Sequence, residues 1–264
     1  MSIRQRPTNS SAARTDYDHV ARRYDTWVGS SGSRHHRQLA IPALLELLEP
    51  RPGEAVLDVG CGQGVLAPYI AHAGAGYTGV DASEQLLRFA RRRHGKLGAF
   101  LRGDAARLRE TPGLRRGLFD GVVFLLSIQD MDPLDAVLRS AAEVLRPGGR
   151  LVLLMNHPCF RVPRQSGWGW DGARKLRFRR VDRYLTALRV PVKAEHRQGH
   201  GTTRSFHRPL EEYINRLADT GLLPDRVREI PADTLYQRHG PNAQAEQLAE
   251  REIPLFLALR ARRG

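Results

Sequence analysis

Residues 55–64 read Ala55-Val56-Leu57-Asp58-Val59-Gly60-Cys61-Gly62-Gln63-Gly64. A short apolar run ends in a glycine-rich bend, and an apolar helical stretch, Val65 to His72, follows it. Glycines let the backbone turn sharply and let a ligand come close. The helix beyond presents unpaired N–H groups and the positive end of its dipole. A dinucleotide loop requires G-x-G-x-x-G, whose third glycine would fall at Val65; here it is Gly64. An acid at the strand end, Asp58, would repel a pyrophosphate but attract an ammonium group. That attraction amounts to about 4 kcal/mol for charges about 4 Å apart at an effective dielectric near 20. The bend therefore favours a zwitterionic, sulfonium-bearing ligand over a dinucleotide.

Outward from the bend, short apolar runs alternate with helical patterns. Tyr77 to Val80 ends at Asp81, and Ser83 is placed to cap a helix over Glu84 to Arg93. Ala99 to Arg102 ends near Asp104, Gly121 to Leu126 forms a fourth run, and Arg150 to Met155 a fifth. Asp132-Pro133 reads as the N-cap and first residue of a helix that Pro147-Gly148-Gly149 closes. Strands alternating with helices predict an α/β, doubly wound, mostly parallel sheet, and unbroken apolar runs suit strands covered on both faces. Asp58, Asp81 and Asp104 then fall on one carboxyl edge, where ligands bind in open sheets. A carboxylate at Asp81 is suited to ribose hydroxyls, and one at Asp104 to an adenine amine.

These segments, LDVGCGQG (57–64), TGVDAS (78–83), RGDAARL (102–108), FDGVVFLLSIQDM (119–131) and LRPGGRLVLL (145–154), resemble the class I S-adenosylmethionine-dependent methyltransferase superfamily over about residues 17–264. The resemblance implies a Rossmann-like sheet of seven strands whose last, Pro254 to Leu259, is antiparallel. It implies S-adenosyl-L-methionine as cofactor, with Gly60 and Gly62 along its methionine part and Asp58 behind them. It sets Asp81 at the ribose, Ala82, Asp104 and Ala105 at the adenine, and Ser127 near the transferred methyl. Cys61, a small filler of the loop, is counted with this set. More narrowly, Asn156-His157-Pro158-Cys159-Phe160-Arg161, Gly167 to Asp171 and Ser205 to Leu210 look like a bacterial branch labelled ubiquinone/menaquinone-methyltransferase-like, a label that is fold-level analogy for the acceptor.

A sulfonium methyl is already a strong electrophile, so the protein has mainly to align a nucleophile in line with it. Positioning alone can supply about 7–11 kcal/mol. His157 past the fifth strand and His207 in the insertion are candidate bases, with His36 a weaker one. Gln129 and Asp130 are placed to orient an acceptor, and Tyr24 to close over the cofactor. Ser127-Ile128-Gln129-Asp130 lacks the N/D-P-P-Y/F-like turn of amino-methylating nucleic-acid enzymes. Cys159 follows Pro158 but lies after the fifth strand, not the fourth where cytosine-5 enzymes need it, and reads as packing. Residues 156–207 read as a substrate lid inserted after the fifth strand, with Trp168, Trp170, Phe160 and Tyr184 walling a pocket for a flat or apolar small molecule. Leu188 to Lys193 is expected to pair with Thr202 to Phe206 as a ribbon. Arg208 to Asp219 reads as a helix, and Arg226 to Ile230 as a strand.

The chain has 264 residues, 41% hydrophobic, and a net charge of +14 carried almost wholly by arginine; Lys96, Lys175 and Lys193 are its lysines. That suits one domain over 16–264, with 1–15 a disordered tail. The dense stretch Arg174 to Arg183 keeps an RNA or tRNA acceptor open as the less favoured alternative, and a protein that binds the cofactor without turnover as a second. No apolar run approaches the roughly 20 residues of a membrane span. Two cysteines give no disulfide framework, no zinc spacing appears, and a cytoplasmic location is the default. The sequence is silent on oligomeric state.

Overall fold

Strand β1 (Ala55–Val59) lies inside the sheet and carries the bend at its carboxyl end. The computed structural model describes residues 17–114, 119–191 and 203–264. The expected tail lies outside them, as do residues 192–202 of the expected ribbon. Strand β2 (Gly76–Asp81) and β3 (Gly98–Arg102) extend the sheet to one side; β4 (Phe119–Leu125) and β5 (Leu145–Asn156) extend it to the other. These five run parallel. Beyond β5 come β11 (Phe256–Arg263), antiparallel to it, and β10 (Leu222–Ile230), antiparallel to β11. Among the described residues the sheet thus has seven strands, ordered β10-β11-β5-β4-β1-β2-β3. The chain reverses direction across the sheet at β1 and β4, the switch point beside which open α/β sheets bind ligands.

The inner strands bury both faces. Along β4, Val123 and Leu125 join one core, and Val122 and Phe124 the other. Helices α2 (Ile41–Leu48), α3 (Ala67–His72) and α4 (Glu84–His94) cover the first face through Ile41, Leu44, Leu48, Ile70, Leu87 and Ala90. Helices α5 (Leu134–Val144) and α6 (Leu210–Asp219) cover the second through Val137, Leu138, Ala141, Tyr213 and Leu217. This two-sided burial is why the strands read as continuous apolar runs. Short α1 (Ala21–Val28) follows a 3-10 turn at Asp18–Val20, and a π-helical turn at His36–Ala40 precedes α2.

Several boundaries differ from the sequence reading. Helix α5 starts at Leu134, because Pro133 is extended (ψ 141°) and itself occupies the cap position. Strand β5 begins at Leu145, ahead of the glycine pair. A helix over Ala243–Glu252, α7, precedes β11; its polar sequence gave no periodic signal. After β5 the chain makes two ribbons instead of one. The first pairs β6 (Ser166–Asp171) with β7 (Leu176–Val181); the second, the expected one, pairs β8 (Leu188–Pro191) with β9 (Arg204–His207).

Candidate active site

The bend after β1 is tied to β2. Gly60 and Cys61 both donate their backbone N–H to the Val80 carbonyl, at 2.8 and 3.1 Å. Gly62 N–H donates to Asp81 Oδ2 at 2.8 Å, and Ser83 N–H to Asp81 Oδ1 at 2.8 Å. One carboxylate thus ties the bend to the start of α4. Gly60 adopts φ +74°, and a Cβ there would lie 2.6 Å from the Ser127 Cβ. Ser127 Oγ in turn donates to the Val59 carbonyl at 2.7 Å, joining the ends of β1 and β4.

A cavity of about 650 Å³ opens at this edge, bordered by Gly60, Gly62, Asp81, Ala82, Asp104, Ala105 and Ser127 among others. Seven of the nine residues expected at the cofactor therefore share one wall. Asp104 also caps the 3-10 turn at Ala105–Glu110, accepting from Ala106 N–H at 3.0 Å. Asp58 and Cys61 lie behind the bend, bordering a small space beneath it with Gly60 and Gly62. Tyr77 Oη donates to Asp58 Oδ2 at 2.8 Å, while Asp58 Oδ1 is buried with no hydrogen-bond partner. Burial pushes the Asp58 carboxyl up to about 7, against the lowering effect of the Tyr77 hydrogen bond. Burial also raises Asp81, against its backbone hydrogen bonds.

These features fit S-adenosylmethionine. The bend leaves room where a side chain would intrude, the rim offers acceptors to ribose hydroxyls and an adenine amine, and an orphaned buried carboxylate oxygen lies beneath the place for an ammonium group.

The N-terminal segment contributes to the lining of this cavity. Tyr17, Asp18 and Tyr24 border it. Ser83 Oγ donates to Asp18 Oδ1 at 2.5 Å, and Gln85 N–H donates to the same oxygen at 3.1 Å. Arg93 grips the Asp25 carboxylate with both terminal nitrogens, fastening α1 to α4. Burial lifts Tyr24 well above its ordinary value.

A second cavity of about 610 Å³ abuts the first. Tyr17, Tyr24, Leu126 and Asp130 border both. Its apolar wall is Val20, Trp27, Leu255 and Phe256; its polar groups include Gln129, Asn156, Ser205, His35 and His36. Leu126, at φ +54°, turns the chain out of β4 between the two spaces. Leucine seldom adopts this left-handed conformation, which collects at functional sites.

Two of the three expected catalytic side chains lie elsewhere. His157 borders neither cavity; its Nε2 meets Glu229 Oε1 of β10 at 2.9 Å, and its Nδ1 accepts from Cys159 N–H at 3.3 Å. Burial lowers its basicity, although Glu229 opposes this. His207 is buried with Nε2 against the Tyr184 carbonyl at 2.7 Å. Gln129 does border the second cavity. The aromatic wall is also corrected. Trp168 faces the guanidinium groups of Arg161, Arg177 and Arg179, at 4.4 to 5.4 Å from its ring, and Trp168, Trp170, Phe160 and Tyr184 border neither cavity. The wall comes instead from Tyr17, Tyr24 and Trp27 at the N-terminus and from Phe256 at the start of β11. Of these, the sequence reading placed Tyr24 alone at the site, closing over the cofactor. Among the described residues no group of three or more His, Cys, Asp or Glu could hold a metal ion, and no helix is long and apolar enough to cross a membrane.

The family described as "Methyltransferase domain" matches residues 57–153, the span from β1 through most of β5. A demethylmenaquinone methyltransferase of Beutenbergia cavernae is 36% identical over 137 residues, which are 52% of this chain and 55% of that protein. A ubiquinone biosynthesis O-methyltransferase of Xanthomonas campestris pv. campestris is 29% identical over 157 residues, 58% of this chain and 65% of its own length. The chain thus spans between half and two thirds of these relatives. The crystal structure of an S-adenosylmethionine-dependent methyltransferase from Mesorhizobium loti superposes with a TM-score of 0.66 at 28% identity, covering 84% of this chain and 96% of that one. In its strand order, its glycine bend and its rim of carboxylates, the chain is similar to the class I S-adenosylmethionine-dependent methyltransferases and shares their fold.

Proposed function

We propose that the chain moves the methyl group of S-adenosylmethionine onto a small, planar, partly apolar acceptor held in the second cavity. The observation that carries this reading is the pair of abutting cavities with a shared wall at Tyr17, Tyr24, Leu126 and Asp130. In the first cavity Gly60, Gly62, Asp81, Ala82, Asp104, Ala105 and Ser127 hold the cofactor, with Asp58 and Cys61 behind the bend. The bound cofactor supplies an electrophilic methyl group. The protein orients the two partners for in-line transfer and sheds water by closing the N-terminal segment across the opening. We read residues 16–264 as one domain and 156–207 as the acceptor's lid, since Arg189 and Phe206 of the second ribbon border the first cavity and Ser205 the second.

The aromatic wall and the quinone-pathway names of the curated relatives both point to a ring-bearing acceptor. The first ribbon has less to offer a polyanion than its sequence suggested. Arg177 pairs with Glu250 at 3.2 Å, Arg179 donates to the Phe160 carbonyl and to Ser166 Oγ, and Arg180 pairs with Asp182. The test is transfer of labelled methyl into a cell extract split into small-molecule, RNA and protein pools. Label in the small-molecule pool is expected. Label confined to RNA would replace this reading, and tight cofactor binding with no label anywhere would leave a binding protein without turnover.

A further inference from the structure

We propose that Asp130 is the catalytic base, the carboxylate that takes the proton from the acceptor's attacking O–H or N–H group, and that Gln129 beside it positions the acceptor. This rests on the methyl-transfer reading above. A group that accepts a proton during transfer must touch the acceptor and lie beside the cofactor. The titratable side chains on the second cavity are Tyr17, Arg23, Tyr24, His35, His36 and Asp130. His35, His36 and Arg23 do not border the first cavity. Tyr17 and Tyr24 do, but burial keeps both phenols protonated far above neutrality. Among the described residues Asp130 is left as the proton acceptor common to both walls.

Its surroundings hold it for that task. Tyr17 Oη donates to Asp130 Oδ2 at 2.6 Å, and Ser205 of the second ribbon adds a hydrogen bond. The carboxylate is therefore gripped by the N-terminal segment on one side and the lid on the other. The groups facing it are Tyr17, Tyr24, Ser205 and Tyr213, with Asp81 across the first cavity. Burial pushes Asp130 up to about 7, and the Tyr17 and Ser205 hydrogen bonds hold it from rising further. A base with a pKa near the working pH is the most effective kind.

Gln129 adds specificity. Its Nε2 donates to the Leu126 carbonyl at 2.6 Å, which fixes the amide, and its Oε1 is buried without a partner. A buried acceptor left unsatisfied is costly, so this oxygen calls for a donor on the ligand. Asp130 and Gln129 together select a planar ring carrying two O–H or N–H donors. In the step itself, the acceptor heteroatom gains a bond to the methyl carbon. The methyl–sulfur bond breaks with its electron pair left on sulfur, which becomes a neutral thioether. The acceptor's proton passes to the Asp130 carboxylate and from there to water.

Three measurements test this. The first compares initial rates of labelled-methyl transfer into the small-molecule pool for wild type and Asp130→Asn. The variant should be about 10²- to 10³-fold slower at saturating S-adenosylmethionine, where a change in cofactor affinity does not enter the rate. The second follows rate against pH. The wild-type rate should rise through about pH 7, because the base must be ionised. Tyr17→Phe removes a hydrogen bond that favours the carboxylate, so it should move this limb to higher pH. The third uses protein carrying 13C at its aspartate carboxyls. A resonance missing from Asp130→Asn should titrate near neutrality, and should titrate at higher pH in Tyr17→Phe. An Asp130→Asn rate within about threefold of wild type overturns the proposal. So does a carboxyl that titrates in the ordinary range and ignores Tyr17→Phe. Label that never enters the small-molecule pool would instead overturn the reading on which the proposal rests.

Discussion

Asp58 is the residue whose chemistry and position disagree most plainly. It is buried, has one oxygen without a partner, and is pushed by burial to about 7. Above that pH it is a carboxylate ready for an ammonium group, and below it a neutral acid. The affinity for S-adenosylhomocysteine should therefore weaken as pH falls through about 7, by about tenfold if one charge-assisted interaction of about 1.5 kcal/mol is lost. Asp58→Asn should bind at the weaker level at every pH, as calorimetry at pH 6, 7 and 8 will report. A residue's place at a strand end was legible in the sequence, so Asp58, Asp81 and Asp104 were readable. The direction of a side chain beyond that end was not. His157 occupies the expected edge, yet its ring turns to Glu229 of β10, a strand 72 residues further along the chain.

The bend between β1 and α3 shows what the glycines do as a unit. At Gly64, with φ +78°, an added Cβ would sit 2.6 Å from Phe100 Cε1 and 3.3 Å from the Ala90 Cβ. Gly64→Ala combines left-handed backbone strain with overpacking against β3 and α4, and should destabilise by about 2–4 kcal/mol. Gly53 has φ +81° but nothing within 4 Å, so Gly53→Ala should cost about 1 kcal/mol, the strain alone. Urea midpoints of the two variants check the difference. The strands of the sheet could be read because apolar runs buried on both faces leave a continuous mark. The lid could not. Its tryptophans looked like a pocket wall, but an aromatic ring packs as readily on guanidinium groups, and Trp168 lies among three of them. The wall of the second cavity is assembled from the two ends of the chain, which no local pattern connects.

Across the whole molecule, a net charge of +14 is partly spent inside the fold. Arg150 of β5 is buried, donating to the Leu48, Glu49 and Asp120 carbonyls and pairing with Glu54 Oε2 at 2.5 Å. Arg260 of β11 pairs with Asp225 at 2.8 and 2.9 Å and with Glu49 at 2.8 Å. Burial pulls Glu54 and Asp225 upward, but the hydrogen bonds from Arg150 to Glu54, and from Arg260 and Arg262 to Asp225, outweigh it and hold both below their ordinary values. Their stabilisation is complete above the unfolded carboxylate pKa of about 4, and is lost as pH falls through their depressed folded values. The urea midpoint should therefore drop steeply below about pH 4. Glu54→Gln, which strands the buried Arg150 charge, should cost about 3 kcal/mol at pH 7 and make that drop shallower. Arginine content alone suggested a surface for polyanions; the sequence could not tell that two of these arginines are core struts.

The central claim is that Asp81 joins the glycine bend to the start of α4 and offers its carboxylate to the cofactor's ribose. Calorimetric titration of wild type and Asp81→Asn with S-adenosylhomocysteine tests it most directly. Removing a charged acceptor should weaken binding by about 10- to 100-fold, equivalent to about 1.5–3 kcal/mol, with the circular dichroism and urea midpoint of a folded protein retained. Equal affinity in the two proteins would contradict the account, because the cofactor would then lie away from this edge of the sheet.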